Sequence, residues 1–448
     1  MKHIDDANFF GTQKIGKILL RVAPPVMLAQ LIQALYNIVD SFFIGQYSSD
    51  GLTALSVIFP IQLLISALAI GLGVGVNTIM SRLYATNDII EAHKTGGAGM
   101  IIAIIVWALF SCLSFALMRP YVQTSAKSVQ AIEYAIQYGT IICIGSLGIF
   151  LESIWTKIHQ SHGNMMIPMI AQIAGAITNI ILDRLLIFGV GPFPELGIQG
   201  AALATVAGQV VAAIITGVKG FHKPPNIKYI WHYFKKIIRF GYPSILMQSL
   251  FTIYIIVLNI ILTSFSDEAV TVLGLYYKMQ TFFFIPLLAL QTCIVPILSY
   301  NYAQKKYDRV ENTMRDSIII SLIFMVVGVL CFELIPDQLI SFFSKDQNVH
   351  LIGLLAFRII GISFIPAVFS LISPVFFQAI GKAIPSVILS IIRQLVCLIP
   401  LFYAFSFIGL NYTWIAFPIS EVITGTIGIV LYIRQIRQWK KPINEIGS

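Results

Sequence analysis

Long apolar runs dominate this sequence and limit what it can fold into. A helix needs about 20 apolar residues to cross the roughly 30 Å hydrocarbon core of a bilayer, and lipid offers no partner to unpaired backbone groups. Twelve runs are long enough, at 18–45, 53–80, 96–118, 131–155, 165–189, 197–218, 237–265, 270–298, 317–336, 350–376, 384–408 and 412–433. The sequence therefore predicts an all-α polytopic membrane protein with twelve transmembrane helices.

Composition excludes the main soluble classes. Only 11% of the residues are charged, whereas a soluble globular domain carries about 25%, so an ordinary soluble enzyme, a coiled coil and a disordered chain are excluded. The alternation of an outer-membrane β-barrel is absent. The five cysteines are irregularly spaced inside apolar runs, which predicts buried side chains rather than a disulfide framework.

Lysine and arginine favour the loops on one side of the predicted membrane. If the first terminus is inside, most of the 29 Lys and Arg residues fall in inside segments, and only Arg119, Lys127 and Lys345 fall in outside loops. Cytoplasmic loops carry such an excess. The bias predicts a plasma (inner) membrane protein with both termini in the cytoplasm. It also explains the net charge of +9 by topology and anionic lipid, without a nucleic-acid partner.

The two halves of the chain share a register. When the second half is laid on the first without a gap, identical residues coincide at Arg21 and Arg239, Pro25 and Pro243, Gln30 and Gln248, Tyr36 and Tyr254, Ser81 and Ser299, Thr95 and Thr313, and Gly163 and Gly381. Because the repeat holds six helices, the two lobes have the same orientation, related by a pseudo-two-fold axis along the membrane normal. We predict an N-lobe at 1–218, a basic cytoplasmic linker at 219–236 and a C-lobe at 237–448. Many carriers are built this way and work by rocking the halves around a cleft.

Two aspartates inside predicted spans need an explanation, since a charge at the bilayer centre costs at least about 2.5–3.5 kcal/mol. Asp40 lies five residues before Gly45, and Asp183 lies six before Gly189. At 1.5 Å per residue, each is about 8–9 Å from its helix end. The two carboxyl groups can therefore share one depth in the outer half of the N-lobe.

The neighbours of the two aspartates suit a small cation. Tyr36 and Asn179 lie one helical turn before Asp40 and Asp183, and Thr205 lies about eight residues into span 6, at a similar depth. Their oxygen atoms are hard ligands of the kind that Na⁺ prefers. Two buried carboxyl groups also repel each other when both are charged, so one of them can hold a proton near neutral pH. We expect this cluster to bind H⁺ or Na⁺, with Asp40, Asn179, Asp183 and Thr205 as the ligands if Na⁺ binds.

A plainer role for the acids stays open. Asp40 and Asp183 can lie close enough to the interface to snorkel into it, or Asp183 can pair with the adjacent Arg184. The counterpart of Asp40 in the second half is Leu258, and that of Asp183, after the one-residue deletion that pairs Pro168 with Pro385, is Pro400. A purely topological role would not need acids in one half only, so the repeat favours a specialised N-lobe.

Other residues of the first half are candidates for movement and for substrate contact. Pro24 and Pro25 remove backbone donors from span 1 and predict a hinge. A polar stripe on span 1 and an aromatic residue of span 4 are equally consistent with core packing and with a substrate path. The candidates for substrate contact are Gln33, Tyr36, Asn37 and Phe150.

Several polar residues stay without an assigned role. Lys278, Arg393 and Glu421 lie in second-half spans and are either buried partners or the lining of an inner vestibule. His159 and His162 form an HxxH pair without a third ligand, and we expect both to be solvated. No P-loop, zinc-hydrolase motif or nucleophile elbow occurs, so the sequence predicts neither an enzyme nor a cofactor.

Four segments resemble the multidrug and toxic compound extrusion (MATE) transporters. They are PPVMLAQLIQALYNIVDSFFIG at 24–45, TNIILDRLLIFG at 178–189, GIQGAALAT at 197–205 and WIAFPISE at 414–421. The resemblance covers nearly the whole chain, including its length and its six-plus-six pattern. It implies export of cationic, aromatic or amphipathic compounds in exchange for H⁺ or Na⁺.

The resemblance is to the DinF-like and MepA-like branch, which has its acids in the first lobe. By that resemblance Asp40, Asn179, Asp183 and Thr205 match the cation-coupling cluster. The NorM-type branch has acids in spans 7 and 10, whereas span 10 of this chain has none. This difference argues against a second-lobe Na⁺ site.

The leading hypothesis is a monomeric antiporter in the lipid bilayer that exchanges H⁺ or Na⁺ for small organic cations or amphipathic drugs. A flippase for lipid-linked precursors would need a large cationic cavity, and a membrane-embedded transferase would need an acidic or His/Asp motif near a soluble loop. The sequence does not choose between H⁺ and Na⁺, and it does not give the natural substrate.

Overall fold

A computed structural model of the chain describes residues 8–125, 128–344 and 346–440. Within these residues the chain is helical and contains no strand. The helices are α1 Ile15–Tyr47, α2 Ser49–Ala85, α3 Ile89–Ser125, α4 Val129–Gly145, α5 Leu147–Ser161, α6 Met166–Phe188, α7 Gly197–Gly220, α8 Ile230–Thr263, α9 Asp267–Ala303, α10 Tyr307–Leu334, α11 Pro336–Ser341, α12 Gln347–Gly361, α13 Phe364–Ala379, α14 Ala383–Ile391, α15 Ile399–Ser406, α16 Leu410–Thr413 and α17 Ala416–Lys440. A 3₁₀ turn, Ile227–Tyr229, precedes α8, and a π-helical segment, Ile392–Leu398, joins α14 to α15.

The predicted helical spans are confirmed. The described residues contain eleven spans long and apolar enough to cross a membrane, or twelve if α12 and α13, which meet at 54°, count as one. The all-α polytopic class follows, because lipid satisfies no backbone group outside a helix. Lys127 and Lys345, which the charge bias assigned to outside loops, lie outside the described residues.

Span 4 is interrupted where the sequence predicted one helix. α4 ends at Gly145 and α5 begins at Leu147, and between them the Ser146 hydroxyl donates to the Cys143 carbonyl at 2.7 Å. A serine hydroxyl competes with helical hydrogen bonds in this way. The break occurs where α7 lies close, since a Cβ on Gly145 would come within 2.3 Å of Val206.

The internal repeat is visible in matching contacts. The Ser81 hydroxyl donates to the carbonyl of Ser161 at 3.2 Å, and at the equivalent place in the second half the Ser299 hydroxyl donates to the carbonyl of Ala379 at 3.0 Å. Gly163 and Gly381 have φ angles of 86° and 80°. The two halves therefore share backbone geometry, although their side chains have diverged.

The chain forms two compact units whose limits differ from the predicted lobes at two places. The first unit contains 24–248 together with the described residues 8–9, and the second contains Phe10–Ala23 and 249–440. The predicted linker at 219–236 and the start of α8 thus belong to the first unit. The start of α1 belongs to the second. The membrane lobes at 1–218 and 237–448 stay a prediction.

Close packing and hydrogen bonds explain these limits. In the first unit a Cβ on Gly75 would lie 2.3 Å from the carbonyl oxygen of Ile237, so α2 and α8 are in backbone contact. In the second unit Arg309 donates to the carbonyl of Phe10 at 2.7 Å and to that of Gln13 at 2.6 Å. The start of α8 is therefore held in the first unit, and the start of α1 is held in the second.

Candidate functional site: a buried carboxyl pair

Asp40 of α1 and Asp183 of α6 come together inside the first unit. Asp40 is 7% exposed and Asp183 is fully buried. Their carboxyl groups lie within electrostatic range of each other. Two buried carboxyl groups in this range repel each other when both are charged, so the pair favours holding a proton or a cation.

Four buried oxygen atoms of this cluster lack a donor. They are Asp40 Oδ1, Asn179 Oδ1 and both Asp183 carboxyl oxygens, and within the described residues none accepts a hydrogen bond from a protein donor. Buried acceptors are nearly always satisfied. The side-chain NH₂ group of Asn179 donates to Thr205 Oγ1 at 3.4 Å. This bond orients the side chain and leaves its Oδ1 available as an acceptor. The arrangement is rich in acceptors and poor in donors, which suits H⁺ or a small cation.

Glycines bring α6 and α7 close enough to build this site. A Cβ on Gly208 would lie 2.6 Å from the Gly175 carbonyl oxygen and 3.2 Å from Asn179 Cβ. α6 ends at Phe188, and Gly189, with a φ of 64°, forms its left-handed C-cap. The close crossing places Asn179 of α6 beside Thr205 of α7.

Tyr36 and two residues that the sequence analysis overlooked surround the pair. Tyr36 lies within electrostatic range of both aspartates and of Glu152. Tyr138, on α4, is buried beside both aspartates, accepts from Gln62 at 3.1 Å and contacts Thr205.

Glu152 is a third buried acid of the first unit. Thr156 donates to it at 2.7 Å and Gln172 at 3.1 Å, and Lys157 lies within electrostatic range. A charged residue inside the apolar run at 131–155 is a signal that could have found it. Tyr138 gave no such signal, because a tyrosine in a span is ordinary.

The geometry does not favour the alternative roles, in which the two aspartates snorkel into the interface or Asp183 pairs with Arg184. Asp183 is fully buried while the adjacent Arg184 is exposed, so the two side chains leave α6 in different directions. Asp40 is also buried among protein atoms. Neither acid is placed as a snorkelling surface charge.

The predicted hinge residues lie within a continuous helix, and the predicted substrate residues do not form one surface. Pro24 and Pro25 lie inside α1, which is helical from Ile15 to Tyr47. Their role as a hinge stays a prediction. The candidates for substrate contact divide into Gln33 and Asn37, which are exposed, Tyr36, which is half-buried, and Phe150, which is fully buried. Phe150 therefore packs in the interior of the first unit.

In the second unit, Arg393 and Glu421 are buried partners. Arg393 donates to Glu421 Oε1 through Nε at 2.9 Å and through Nη2 at 2.6 Å, and Ser370 also donates to Glu421. Lys278 is exposed and lies 5.8 Å from the centre of the Phe343 ring. Arg393 stands in the π-helical segment, a helix form common at functional sites.

The expectation that His159 and His162 are solvated is wrong. His159 is 1% exposed and His162 is 5% exposed. The His159 ring makes a hydrogen bond of 2.9 Å between Nε2 and the Thr216 carbonyl oxygen. The end of α7 covers the His159 ring, and Tyr84 at the end of α2 contacts the His162 ring.

A substitution at the α6–α7 crossing tests how the site is held. Gly208→Ala is expected to lower the free energy of unfolding by about 1–3 kcal/mol, because the new Cβ would meet a backbone carbonyl that cannot rotate away. Gly274→Ala is the matched control, since a Cβ there has no atom within 4 Å. Thermal unfolding of the purified proteins gives the comparison, and equal melting of the two variants would contradict the described crossing.

An all-helical membrane fold built as an internal repeat, with a polar site buried in one unit, defines the class of polytopic membrane carriers. The comparisons with known proteins agree. The MatE family model matches residues 25–185 and again 243–404, so the two matches begin at Pro25 and Pro243, which the internal repeat pairs. The chain belongs to the MATE family, whose members are multi-pass membrane transporters and not enzymes.

Relatives and solved structures span nearly the whole chain. It is 26% identical over 421 residues to a protein of Shewanella oneidensis named as an FAD transporter, covering 92% of this chain and 93% of that one. It is 22% identical over 431 residues to the multidrug export protein MepA of Staphylococcus haemolyticus, covering 94% of each. A solved MOP-superfamily transporter from Pyrococcus furiosus matches with a TM-score of 0.91 at 23% identity, covering 97% of this chain and 99% of that one. These relatives support a multidrug efflux transporter.

Proposed function

We propose that this protein is a secondary antiporter that exports cationic or amphipathic organic compounds in exchange for H⁺ or Na⁺, by alternating access. The observation that carries the proposal is the cluster of four buried oxygen atoms without donors around Asp40 and Asp183. Such a cluster is stabilised when a positive ion enters and destabilised when the ion leaves. Its charge can therefore respond to an ion gradient.

The same residues allow either coupling ion. A proton would sit between the Asp40 and Asp183 carboxyl groups and remove their mutual repulsion. A sodium ion would take oxygen ligands from Asp40, Asn179, Asp183 and Thr205. In both cases ion binding removes net negative charge from the first unit. A cationic cargo and the ion would then compete for the same electrostatic stabilisation, which is the condition for exchange.

The hinge completes the proposed cycle. Pro24 and Pro25 remove two backbone donors from α1, sixteen and fifteen residues before Asp40 on the same helix. A change of charge at Asp40 can therefore bias how α1 bends at the prolines. We also infer a plasma-membrane protein with both termini in the cytoplasm, on the basis of the distribution of Lys and Arg.

The antiport is tested in proteoliposomes that contain the purified protein and a fluorescent organic cation. A pH gradient and a Na⁺ gradient are imposed separately. We expect one of them to drive movement of the dye against its own gradient, and the dye to drive counterflow of that ion. Movement that ignores both gradients would contradict coupled exchange.

A second cargo belongs in the same assay. The relative from Shewanella oneidensis is named as an FAD transporter and matches over 421 residues, so a flavin nucleotide is a further candidate substrate. FAD carries a negative diphosphate, whereas the dye is positive, so competition between the two separates a cation-selective path from one that takes aromatic compounds of either charge. We expect the cation to be preferred.

A further inference from the structure

A cavity of about 170 Å³ opens in the second unit where α9 turns into α10. Lys305 and Lys306 line it from the turn, and Trp439 and Lys440 line it from the last turn of α17. The charge bias predicts this end of the helices to be cytoplasmic. The cavity lies wholly in the second unit, whereas the carboxyl pair belongs to the first.

The charges around this cavity leave an excess of positive charge. Three lysines face two carboxylates, Asp308 and Glu311. Glu311 is already paired with Lys440 at 2.8 Å, and Lys306 donates to the Gly11 carbonyl at 3.1 Å. Lys305 is exposed and makes no ion pair among the described residues. A lysine ammonium with unused donors attracts an anion as a point charge.

One wall of the cavity is aromatic and fixed. Trp439 stacks on Tyr307 with ring centroids 4.6 Å apart and an interplanar angle of 18°. Tyr302 and Phe376 contact the same indole at 5.7 and 6.0 Å. Tryptophan and tyrosine favour the membrane–water interface. A ligand with an anionic head and an apolar remainder would meet both surfaces at once.

The equivalent turn of the first unit shows that the lysines are not required by the fold. Asn87 has a φ of 65° where Lys305 has 57°, and the residues that follow, Asp88 and Lys306, make the same backbone hydrogen bond at 2.9 Å. Asparagine tolerates the left-handed region better than lysine. A lysine held there, where an asparagine makes the same turn, suggests a function for its charge.

The start of α3 in the first unit, which corresponds to the start of α10 in the repeat, is packed differently. There the chain itself covers the start of α3, since a Cβ on Gly97 would lie 2.5 Å from the carbonyl oxygen of Lys223. In the register of the repeat, Gly97 corresponds to Arg315 in the second unit. The two halves have therefore diverged in charge and in packing at the same position of the repeat.

We propose that the cavity bounded by Lys305, Lys306, Lys440 and the Trp439–Tyr307 stack binds a phosphate ester. The ammonium groups would hold the phosphate, and the aromatic wall would pack against the carbon groups next to it. The phosphate can come from the headgroup of an anionic phospholipid in the cytoplasmic leaflet or from a soluble phosphate compound. This site is independent of the coupling ion and of the exported cargo.

The test uses the purified full chain in detergent and separates the two sources. In one arm, native mass spectrometry counts retained dioleoyl phosphatidylglycerol or dioleoyl phosphatidylcholine. In the other, glycerol 3-phosphate is titrated and thermal unfolding is followed. Lys305→Asn copies the residue of the first unit and should preserve the turn, and Lys440→Gln removes a second ammonium from an exposed pair. Lys219→Asn, an exposed lysine at the end of α7, is the matched control.

We expect phosphatidylglycerol to be retained over phosphatidylcholine, and Lys305→Asn to weaken its binding about fivefold, as for one lysine near an anionic surface. Lys219→Asn should bind like the unsubstituted protein. A second outcome also supports the site. If the two lipids bind equally, and glycerol 3-phosphate stabilises the protein in a way that depends on Lys305, then the ligand is a soluble phosphate compound. Unchanged binding of both probes in the Lys305→Asn and Lys440→Gln variants would overturn the proposal.

Discussion

Asp183→Asn is expected to reduce ion-driven export to the level of protein-free vesicles. The asparagine keeps the size of the side chain but cannot carry the charge that the coupling ion neutralises. Asp183 is fully buried and contributes two of the four oxygen atoms that lack donors, so no nearby group replaces it. Asp40→Asn should have the same effect, because the two carboxyl groups act as one site.

The controls separate loss of coupling from loss of fold. Asp50→Asn removes a carboxylate from the first turn of α2, a helix end rather than a buried site, and should leave transport unchanged. Both core variants should still bind the dye and melt near the temperature of the unsubstituted protein, since a neutral amide carries no buried charge that needs a partner. Ion-driven transport by Asp183→Asn at the unsubstituted rate would exclude Asp183 as the coupling residue.

Glu421→Gln is expected to destabilise the second unit by about 3–5 kcal/mol, the cost of leaving one member of a buried ion pair without its partner. The pair is well shielded, with side chains 12% and 8% exposed. It is also bidentate, because Arg393 Nη2 donates to Glu421 Oε1 at 2.6 Å and Nε donates to Oε2 at 3.1 Å. Arg393→Met should cost less, because a lone glutamate can take up a proton whereas a lone arginine stays charged. Thermal unfolding of the purified variants measures both effects.

The double variant Arg393→Met/Glu421→Leu tests the cause. Replacing both members of a buried pair by apolar residues is often neutral or stabilising, so the double variant should recover most of the stability lost by Glu421→Gln. Additive losses in the double variant would show that packing, and not the unpaired charge, sets the effect.

The sequence predicted the fold and the two acids because each rests on a strong physical signal. Apolar runs of span length leave lipid-facing helices as the only solution, and an acid inside a span needs a partner. Asp40 and Asp183 stood out for that reason, and counting turns from the helix ends placed them at one depth. Asn179 and Thr205 followed from helical spacing.

The rest depended on contacts that spacing does not encode. The pairing of Arg393 with Glu421 joins a π-helical segment to α17, 28 residues away in sequence, and no local pattern distinguishes it from two vestibule charges. The limits of the compact units depend on backbone contacts such as Gly75 with Ile237, which are set by packing. Glu152 could have been found from the sequence, because it is an acid inside an apolar run. Tyr138 could not, because only the packing of the helices brings it to the site.

We propose that Asp40 and Asp183 hold the coupling ion together and release it when cargo binds. It is tested most directly by measuring H⁺ and Na⁺ release from the purified protein, in weakly buffered detergent solution, when an exported cation is added. We expect the unsubstituted protein to release one of these ions, and Asp40→Asn and Asp183→Asn to release neither. Equal release by all three proteins would contradict it.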